Sequence, residues 1–96
     1  MSELALTLNS RLVASRNQVS CDLAGEAAIL NLKSGVYFGL DPIGARVWKA
    51  LLAPVTLDQL CIELAQEYDV QRETLEADLR ELIQDLVAHG LVEVVE

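Results

Sequence analysis

The segment KSGVYFGLDPI, residues 33–43, contains the point at which the chain changes from strand to helix. Residues 36–40 are almost all apolar, and the two-residue period of a strand places Val36, Phe38 and Leu40 on one face. Asp41 is a good N-cap, and Pro42 suits the first position of a helix. The segment therefore predicts a short strand that leads directly into a helix.

Upstream of this segment the chain carries further β-type runs, separated by short polar or glycine-containing breaks. Breaks of three or four residues suit hairpins, so neighbouring strands should run antiparallel. By residue number, the runs are 12–13, 19–23, 27–32 and 36–40.

Downstream, apolar spacing and capping signals predict three helices. The first begins at Asp41 and ends near Pro54, and Ile43, Val47 and Trp48 are expected in the core. The other two helices are predicted to extend from residue 56 to about 68 and from about 72 to 89.

The last two helices differ in the quality of their start signals. Thr56 and Gln59 form a capping box at the start of the second helix, whereas Gln71 is a poor cap for the third. Gly90 should end the third helix, and residues 91–95 suit a short strand or tail. The apolar residues of the third helix fall in one sector of the helical wheel: Leu75, Leu79, Leu82, Ile83 and Leu86.

This order of elements predicts an α+β fold, a small winged-helix-like domain with a three-stranded antiparallel sheet followed by three helices. We expect one domain over residues 1–96, with residues 1–10 as a loose N-terminal arm or an edge strand. Cys21 and Cys61 have no metal-ligand spacing and are expected to be buried, reduced thiols.

Composition and charge limit the function classes. Residues 1–55 hold five basic and four acidic residues, whereas residues 56–96 hold two basic and eleven acidic ones. The predicted third helix is acidic and would repel duplex DNA, so no nucleic-acid partner is expected. No apolar run approaches the roughly 18 residues of a membrane helix, and no signal peptide is recognisable, so we expect a cytoplasmic protein with no membrane contact.

The sequence contains no recognisable catalytic constellation. His89 is the single histidine, and its position at a helix end favours a structural role beside the helix dipole. Four carboxylates of the third helix spread around its outer arc, which favours a solvated face over a metal site: Glu76, Asp78, Glu81 and Asp85. We therefore predict a protein that is not an enzyme and has no metal and no cofactor.

Protein or peptide recognition is the function class that remains. An edge strand presents unpaired backbone groups that a guest strand can complete, and a neighbouring helix can receive the guest's side chains. For residues 36–40, a plain core strand and a docking strand are both open interpretations. Gly39 would let a neighbouring backbone approach closely.

Five short motifs lie along the chain: GVYFGLDPIGARVW (residues 35–48), TLDQL (56–60), YDV (68–70), DL (78–79) and HGLV (89–92). In their order and spacing they resemble the PqqD family of small chaperone-like proteins for ribosomally made, modified peptides. The strand and first helix are most similar to the branch of stand-alone recognition proteins (RiPP recognition elements) of lasso-peptide biosynthesis. The resemblance covers about residues 11–93.

The resemblance implies a fold of three strands and three helices that binds a precursor's leader peptide. The leader would add as an antiparallel strand between the third strand and the third helix, and in lasso leaders a Tyr and a Pro commonly fill the apolar pocket. The protein would then deliver the precursor to a leader peptidase, a transglutaminase-like cysteine protease, and to a cyclase. The implied peptide-binding residues are Val36, Tyr37, Phe38, Gly39, Leu40, Leu75, Glu76, Asp78, Leu79 and Leu82.

Several alternatives remain open from the sequence. Leu75, Leu79 and Leu82 suit either the domain's own core or the peptide cleft. We interpret the acidic residues as a site for a basic leader residue, because the second half of the chain is strongly negative. The alternative functions are a peptide chaperone for a radical-SAM maturase and an acidic winged-helix regulatory domain. A monomer is expected.

Overall fold

The computed structural model describes residues 6–95, and the fold over that range is α+β, as predicted. The first four elements are strands, and the second half of the chain holds three helices and two short strands. In chain order the elements are β1 (Arg11–Ala14), β2 (Gln18–Leu23), β3 (Glu26–Asn31), β4 (Tyr37–Leu40), α1 (Pro42–Ala50), β5 (Val55–Thr56), α2 (Leu57–Glu67), α3 (Arg72–Ala88) and β6 (Val92–Val95).

The predicted three-stranded antiparallel sheet is formed by β2, β3 and β4, with β3 in the centre. The β2–β3 hairpin closes through Ala24 and Gly25, which have φ values of 55° and 92°. Two consecutive positive φ values are the signature of a type I′ turn, whose twist matches the strands that flank it. The predicted third strand, residues 36–40, is β4, and it begins one residue later than expected.

A second sheet holds β1 in the centre between β5 and β6, and all pairs are antiparallel. Arg11 pairs with both Thr56 and Val95, so this sheet joins the beginning, middle and end of the described chain. The final strand was one of the two options predicted for residues 91–95. The two-residue strand β5 was not predicted, because Val55 and Thr56 carry only helix-start signals.

The helix ends follow the capping signals. Asp41 accepts a hydrogen bond from the Gly44 N–H (2.7 Å) at the start of α1. Thr56 and Gln59 form both hydrogen bonds of the capping box at the start of α2. Gln71 caps α3 without a side-chain hydrogen bond, as expected from its poor capping ability.

The C-terminal end of α3 is fixed by a Schellman motif. Gly90 has a φ of +73°, and its N–H donates to the Val87 carbonyl. The Leu91 N–H donates to the Leu86 carbonyl (2.9 Å), and both leucine side chains are buried. The two leucines at the end of α3, Leu86 and Leu91, are therefore part of the core.

The core lies between the two sheets and the inner faces of the helices, and aliphatic residues dominate it. Each fully buried leucine or isoleucine contributes about 1.5–3 kcal/mol relative to exposure. The fully buried large side chains are Leu12, Ile29, Val47, Leu51, Leu57, Leu60, Cys61, Leu64, Ile83, Leu86 and Leu91.

The structure differs from the sequence predictions at several residues that were expected to be buried or to form a strand. Cys61 is buried and free, as predicted, but Cys21 is free and exposed, because it lies on the solvent face of β2. Val47 and Trp48 are buried as predicted, whereas Ile43 is 52% exposed. Residues 6–10 form a turn rather than a strand, and Leu6 is buried. The first half of the predicted N-terminal arm lies outside the described residues.

Within residues 6–95, every helix is too short or too polar to span a lipid bilayer.

Candidate functional site

The strand β4 is an open edge of its sheet. Among residues 6–95, its strand partner is β3, and no strand pairs with its other side. The Asn31 N–H donates to the Val36 carbonyl (3.0 Å), and the Leu32 N–H donates to the Asn17 carbonyl on the opposite side (3.0 Å). These two hydrogen bonds fix which residues of β3 direct their backbone N–H and carbonyl groups toward β4 and which direct them toward β2.

The alternation of an antiparallel ladder then assigns each backbone group of β4 to a side. Phe38 and Leu40, like Val36, face β3 with their N–H and carbonyl groups. Tyr37 and Gly39 therefore point theirs away from the sheet, toward the open edge. A Cβ atom placed on Gly39 would meet nothing within 4 Å, so the space beside this glycine is free.

The side chains of β4 divide between the two faces of the sheet. Phe38 pairs with Ile29, and Leu40 pairs with Ala27, on the face that packs on the core. Tyr37 lies on the other face and is 70% exposed. The side chains of Phe38 and Leu40 thus lie on the core-facing side of β4, next to its unpaired backbone edge.

A cleft of about 470 Å³ separates β4 from α3. Its walls are the end of β4, the start of α1, the α2–α3 connection and the first half of α3. The residues that line it are Phe38, Gly39, Leu40, Asp41, Ile43, Gly44, Val47, Tyr68, Val70, Leu75, Asp78, Leu79 and Leu82.

The lining is apolar except for two carboxylates, Asp41 and Asp78. One oxygen of Asp41 accepts the capping hydrogen bond of α1, whereas the exposed Asp78 forms no ion pair among the described residues. The arginines of α1 and α3 are engaged elsewhere: Arg46 pairs with Glu63 and Glu67, Arg72 with Asp58 and Glu76, and Arg80 with Glu76. The cleft therefore carries only negative side-chain charge.

The structure brings most of the predicted binding residues to this cleft. Those that line it are Phe38, Gly39, Leu40, Leu75, Asp78, Leu79 and Leu82. Val36 lines a separate cavity, Tyr37 points its side chain to solvent, and Glu76 lies outside the cleft lining, bound to Arg80 at 3.1 Å.

The leucines of α3 contribute both to the core and to the cleft, the two roles that the sequence left open. Leu75 and Leu79 belong to the buried core and also form the floor of the cleft, whereas Leu82 is half-buried at its edge. Sequence reasoning did not assign Ile43, Tyr68 and Val70 to the cleft. The available signal was that these apolar residues stand beside predicted helix ends. A short connection has no core of its own that could bury such side chains.

A second, smaller cavity of about 250 Å³ continues along β4 toward the end of α3. Phe38 lines both cavities, and its ring contacts the ring of His89. The His89 Nδ1 atom lies 2.8 Å from the Asp85 carbonyl, and the His89 carbonyl accepts a hydrogen bond from the Asn31 amide (2.7 Å). His89 thus joins the end of α3 to the sheet, a link that the sequence did not predict.

Among the described residues, no three His, Cys, Asp or Glu side chains are grouped in a way that would hold a metal ion.

The fold and the cleft define a small winged-helix-like α+β domain that leaves an edge strand open opposite a helix. The chain belongs to the PqqD family, because the family model described as Coenzyme PQQ synthesis protein D (PqqD) matches residues 26–92. The family predicted from the sequence motifs is therefore confirmed.

Two solved structures share this fold. One is TbiB1 in complex with the TbiA(β) leader peptide, which is 34% identical with a TM-score of 0.80, over 84% of this chain and 94% of that one. The other is a lasso peptide synthetase B1 complexed with the leader peptide, which is 22% identical with a TM-score of 0.76, over 85% of this chain and 96% of that one. No curated protein sequence matches the chain.

Proposed function

We propose that this protein binds the leader peptide of a ribosomally synthesised precursor by strand addition to β4, in the cleft between β4 and α3. The observation that carries the proposal is the open edge of β4 above an apolar cleft whose far wall is α3. The 34% identical relative TbiB1, whose structure contains a leader peptide, supports the same class of ligand.

The backbone of β4 supplies the register for a guest strand. Tyr37 and Gly39 each offer an outward N–H and an outward carbonyl, so an antiparallel guest completes up to four hydrogen bonds. Each contributes about 0.5–1.5 kcal/mol net. The remaining affinity comes from apolar guest side chains that enter the cleft, and a micromolar complex needs about 8 kcal/mol in total.

The protein performs no catalysis in this proposal. It holds the leader so that a leader peptidase, a transglutaminase-like cysteine protease, and a cyclase act on the rest of the precursor in lasso-peptide maturation. The lasso-peptide description of the second structural neighbour is consistent with this pathway. Duplex DNA is disfavoured as a ligand, because both arginines of α3 are already paired with carboxylates.

The test is a titration with a fluorescent leader peptide, starting with the TbiA(β) leader as the probe. Tyr37→Pro removes the outward N–H without removing a bond to β3, and proline is tolerated at such edge positions. We expect it to weaken binding by about five-fold or more, since about 1 kcal/mol is lost for each missing bond.

Tyr37→Ala is the matched control, because it removes the same side chain but keeps the N–H. Thermal unfolding of both variants shows whether each remains folded. A Tyr37→Pro variant that folds and binds the leader as tightly as Tyr37→Ala would contradict strand addition at this edge.

A further inference from the structure

Asn31, the last residue of β3, uses every one of its polar atoms in a hydrogen bond. Its backbone N–H donates to the Val36 carbonyl (3.0 Å), and its backbone carbonyl accepts from the Gly35 N–H (2.8 Å). Its side-chain oxygen accepts from the Lys33 N–H (2.8 Å) and from the Ser34 N–H (3.2 Å). These bonds are all local, and they close the turn that leads into β4.

The side-chain nitrogen of Asn31 makes the contact that leaves the turn. It donates to the His89 carbonyl (2.7 Å), which is 58 residues away in the chain. The last carbonyls of a helix have no partner within the helix, so this bond satisfies a group that α3 leaves open. Gly90 leaves room for it, because a Cβ atom at that position would lie 3.1 Å from the Asn31 nitrogen. One side chain thus holds the turn before β4 with its oxygen and the end of α3 with its nitrogen.

This bridge lies at one end of the cleft. Asn31 and His89 both line the second cavity, which continues the cleft toward the end of α3. At the other end Leu75 and Leu79 lie opposite Leu40, and no hydrogen bond or ion pair joins α3 to β4 there within residues 6–95. The polar connection between the two walls is therefore confined to the Asn31 end.

We propose that Asn31 is a positioning residue of the leader site, and that its side chain holds the start of β4 and the end of α3 at a fixed separation before the leader arrives. The inference rests on the proposed function, because it concerns how the same cleft is prepared for its ligand. Without the bridge the two walls are free to separate at this end. Ordering them again on binding then uses part of the binding free energy.

The bridge acts on one part of the leader. A guest strand antiparallel to β4 ends beside the start of β4, so the C-terminal part of the bound segment lies next to the second cavity. That part senses the separation that Asn31 sets. A leader shortened from its C-terminus until it no longer reaches the second cavity should therefore bind independently of Asn31.

Two variants of Asn31 break the bridge and keep a cap for the turn. In Asn31→Asp the carboxylate still accepts from the turn N–H groups, but it cannot donate to the His89 carbonyl. In Asn31→Ser the hydroxyl caps such a turn more weakly and is too short to reach α3.

Two controls separate the bridge from charge and from stability. Asn17→Asp makes the same substitution at an exposed asparagine of the β1–β2 loop, whose side chain makes no hydrogen bond among the described residues. Thr56→Ala removes a capping hydrogen bond at the start of α2, outside the cleft lining, and so lowers stability without touching the site.

The experiment measures dissociation constants by fluorescence anisotropy for the TbiA(β) leader and for versions of it shortened one residue at a time from the C-terminus. Urea unfolding establishes that each variant is folded. With the intact leader, we expect both Asn31 variants to bind about three-fold to ten-fold more weakly than wild type, which corresponds to one net hydrogen bond. Asn17→Asp and Thr56→Ala should stay within about two-fold, because distant sites act independently. The difference between the Asn31 variants and wild type should disappear once the leader no longer reaches the second cavity.

Three results would overturn the positioning role and leave the proposed function standing. The first is binding of the intact leader by both Asn31 variants as tightly as by wild type, or more tightly. The second is an equal loss of affinity for every shortened leader, because Asn31 would then act on the fold as a whole. The third is failure of both Asn31 variants to fold, for the same reason. Failure of the wild-type protein to bind any leader would instead refute the proposed function itself.

Discussion

The ring of Phe38 meets the ring of His89 edge to face, with ring centroids 5.0 Å apart and 66° between the ring planes. This contact joins the strand that forms one wall of the cleft to the end of the helix that forms the other. Because Phe38 lines both cavities, the pair also sets the boundary between them.

The Phe38–His89 contact should be measurable as a coupling energy. Aromatic pairs in this geometry contribute about 0.5–1.5 kcal/mol beyond their buried area. We expect a double-mutant cycle of Phe38→Leu and His89→Ala to give a coupling of that size in the free energy of urea unfolding. The cycle of Phe38→Leu with Ile62→Ala should be additive. Additivity in the first cycle as well would show that the two rings act independently.

Asp78 should set a charge preference of the cleft. It is the cleft carboxylate that no other described residue engages, so we expect Asp78→Lys to weaken binding of a leader peptide that carries Lys or Arg. An exposed ion pair contributes about 0.2–1 kcal/mol, so loss of attraction alone accounts for up to about five-fold, and charge reversal adds repulsion. Fluorescence anisotropy at low and at physiological salt measures the effect, which should shrink with added salt.

Glu93→Lys is the control for Asp78→Lys, because it makes the same change in net charge at an exposed position of β6, in the other sheet and outside the cleft lining. It should leave the dissociation constant within about two-fold of wild type, since distant exposed charges are screened. An unchanged dissociation constant for Asp78→Lys would remove the idea of a basic leader residue.

The parts of the fold that were predictable are those with local signals. The capping box of Thr56 and Gln59 and the stop at Gly90 depend on residues within one or two turns of a helix, so the sequence contains the whole signal. The second sheet could not be predicted in this way. The two residues of β5 become a strand only because β1, more than 40 residues earlier in the chain, pairs with them.

The two residues wrongly predicted to be buried, Ile43 and Cys21, lie at the cleft and on the exposed edge of the sheet. Ile43 has the helical spacing of a core residue, but the wheel does not distinguish a face packed on the core from a face beside an empty cleft. Cys21 lies on β2, where the apolar residues Val19 and Leu23 share its solvent face and the polar Ser20 and Asp22 point the other way. No residue of β2 is fully buried, so a place in this strand did not imply burial of Cys21.

The candidate site was predictable as far as the family motifs extended. Phe38, Gly39 and Leu40 lie in the strongest motif and line the cleft. The family resemblance placed Glu76 in the site together with Asp78, yet a two-residue step on a helix turns the side chain by about 200°. The helix thus directs Asp78 to the cleft and Glu76 to the arginines on the other side.

The start of α3 offers a stabilising substitution. Gln71 has the extended backbone of an N-cap, with φ −67° and ψ 142°, but its side chain makes no capping hydrogen bond. We expect Gln71→Ser to raise the free energy of unfolding by about 0.5–1.5 kcal/mol, which corresponds to a higher Tm by several degrees for a domain of this size. Thr56→Ala should cost about 1 kcal/mol at the cap that is already satisfied. A Tm for Gln71→Ser at or below wild type would show that α3 gains nothing from a better cap.

The contact between Arg46 and Glu67 should make stability depend on pH in the acidic range. Arg46 in α1 donates from Nε to Glu67 Oε1 (2.9 Å) and from Nη2 to Oε2 (2.6 Å) at the end of α2. The hydrogen bonds from Arg46 lower the pKa of Glu67 in the folded state.

A group whose pKa is lowered by folding stabilises the protein above its unfolded pKa, about 4.3 for Glu, and loses that contribution as the pH falls through the folded value. We therefore expect Glu67→Gln to unfold more easily in urea than wild type at pH 7, and the difference to shrink steadily below about pH 4.3. Glu93→Gln, at an exposed acid of β6 without an ion pair among the described residues, should show no such pH-dependent difference. A difference between Glu67→Gln and wild type that stays constant from pH 7 to pH 3 would mean that the ionised carboxylate contributes nothing through Arg46.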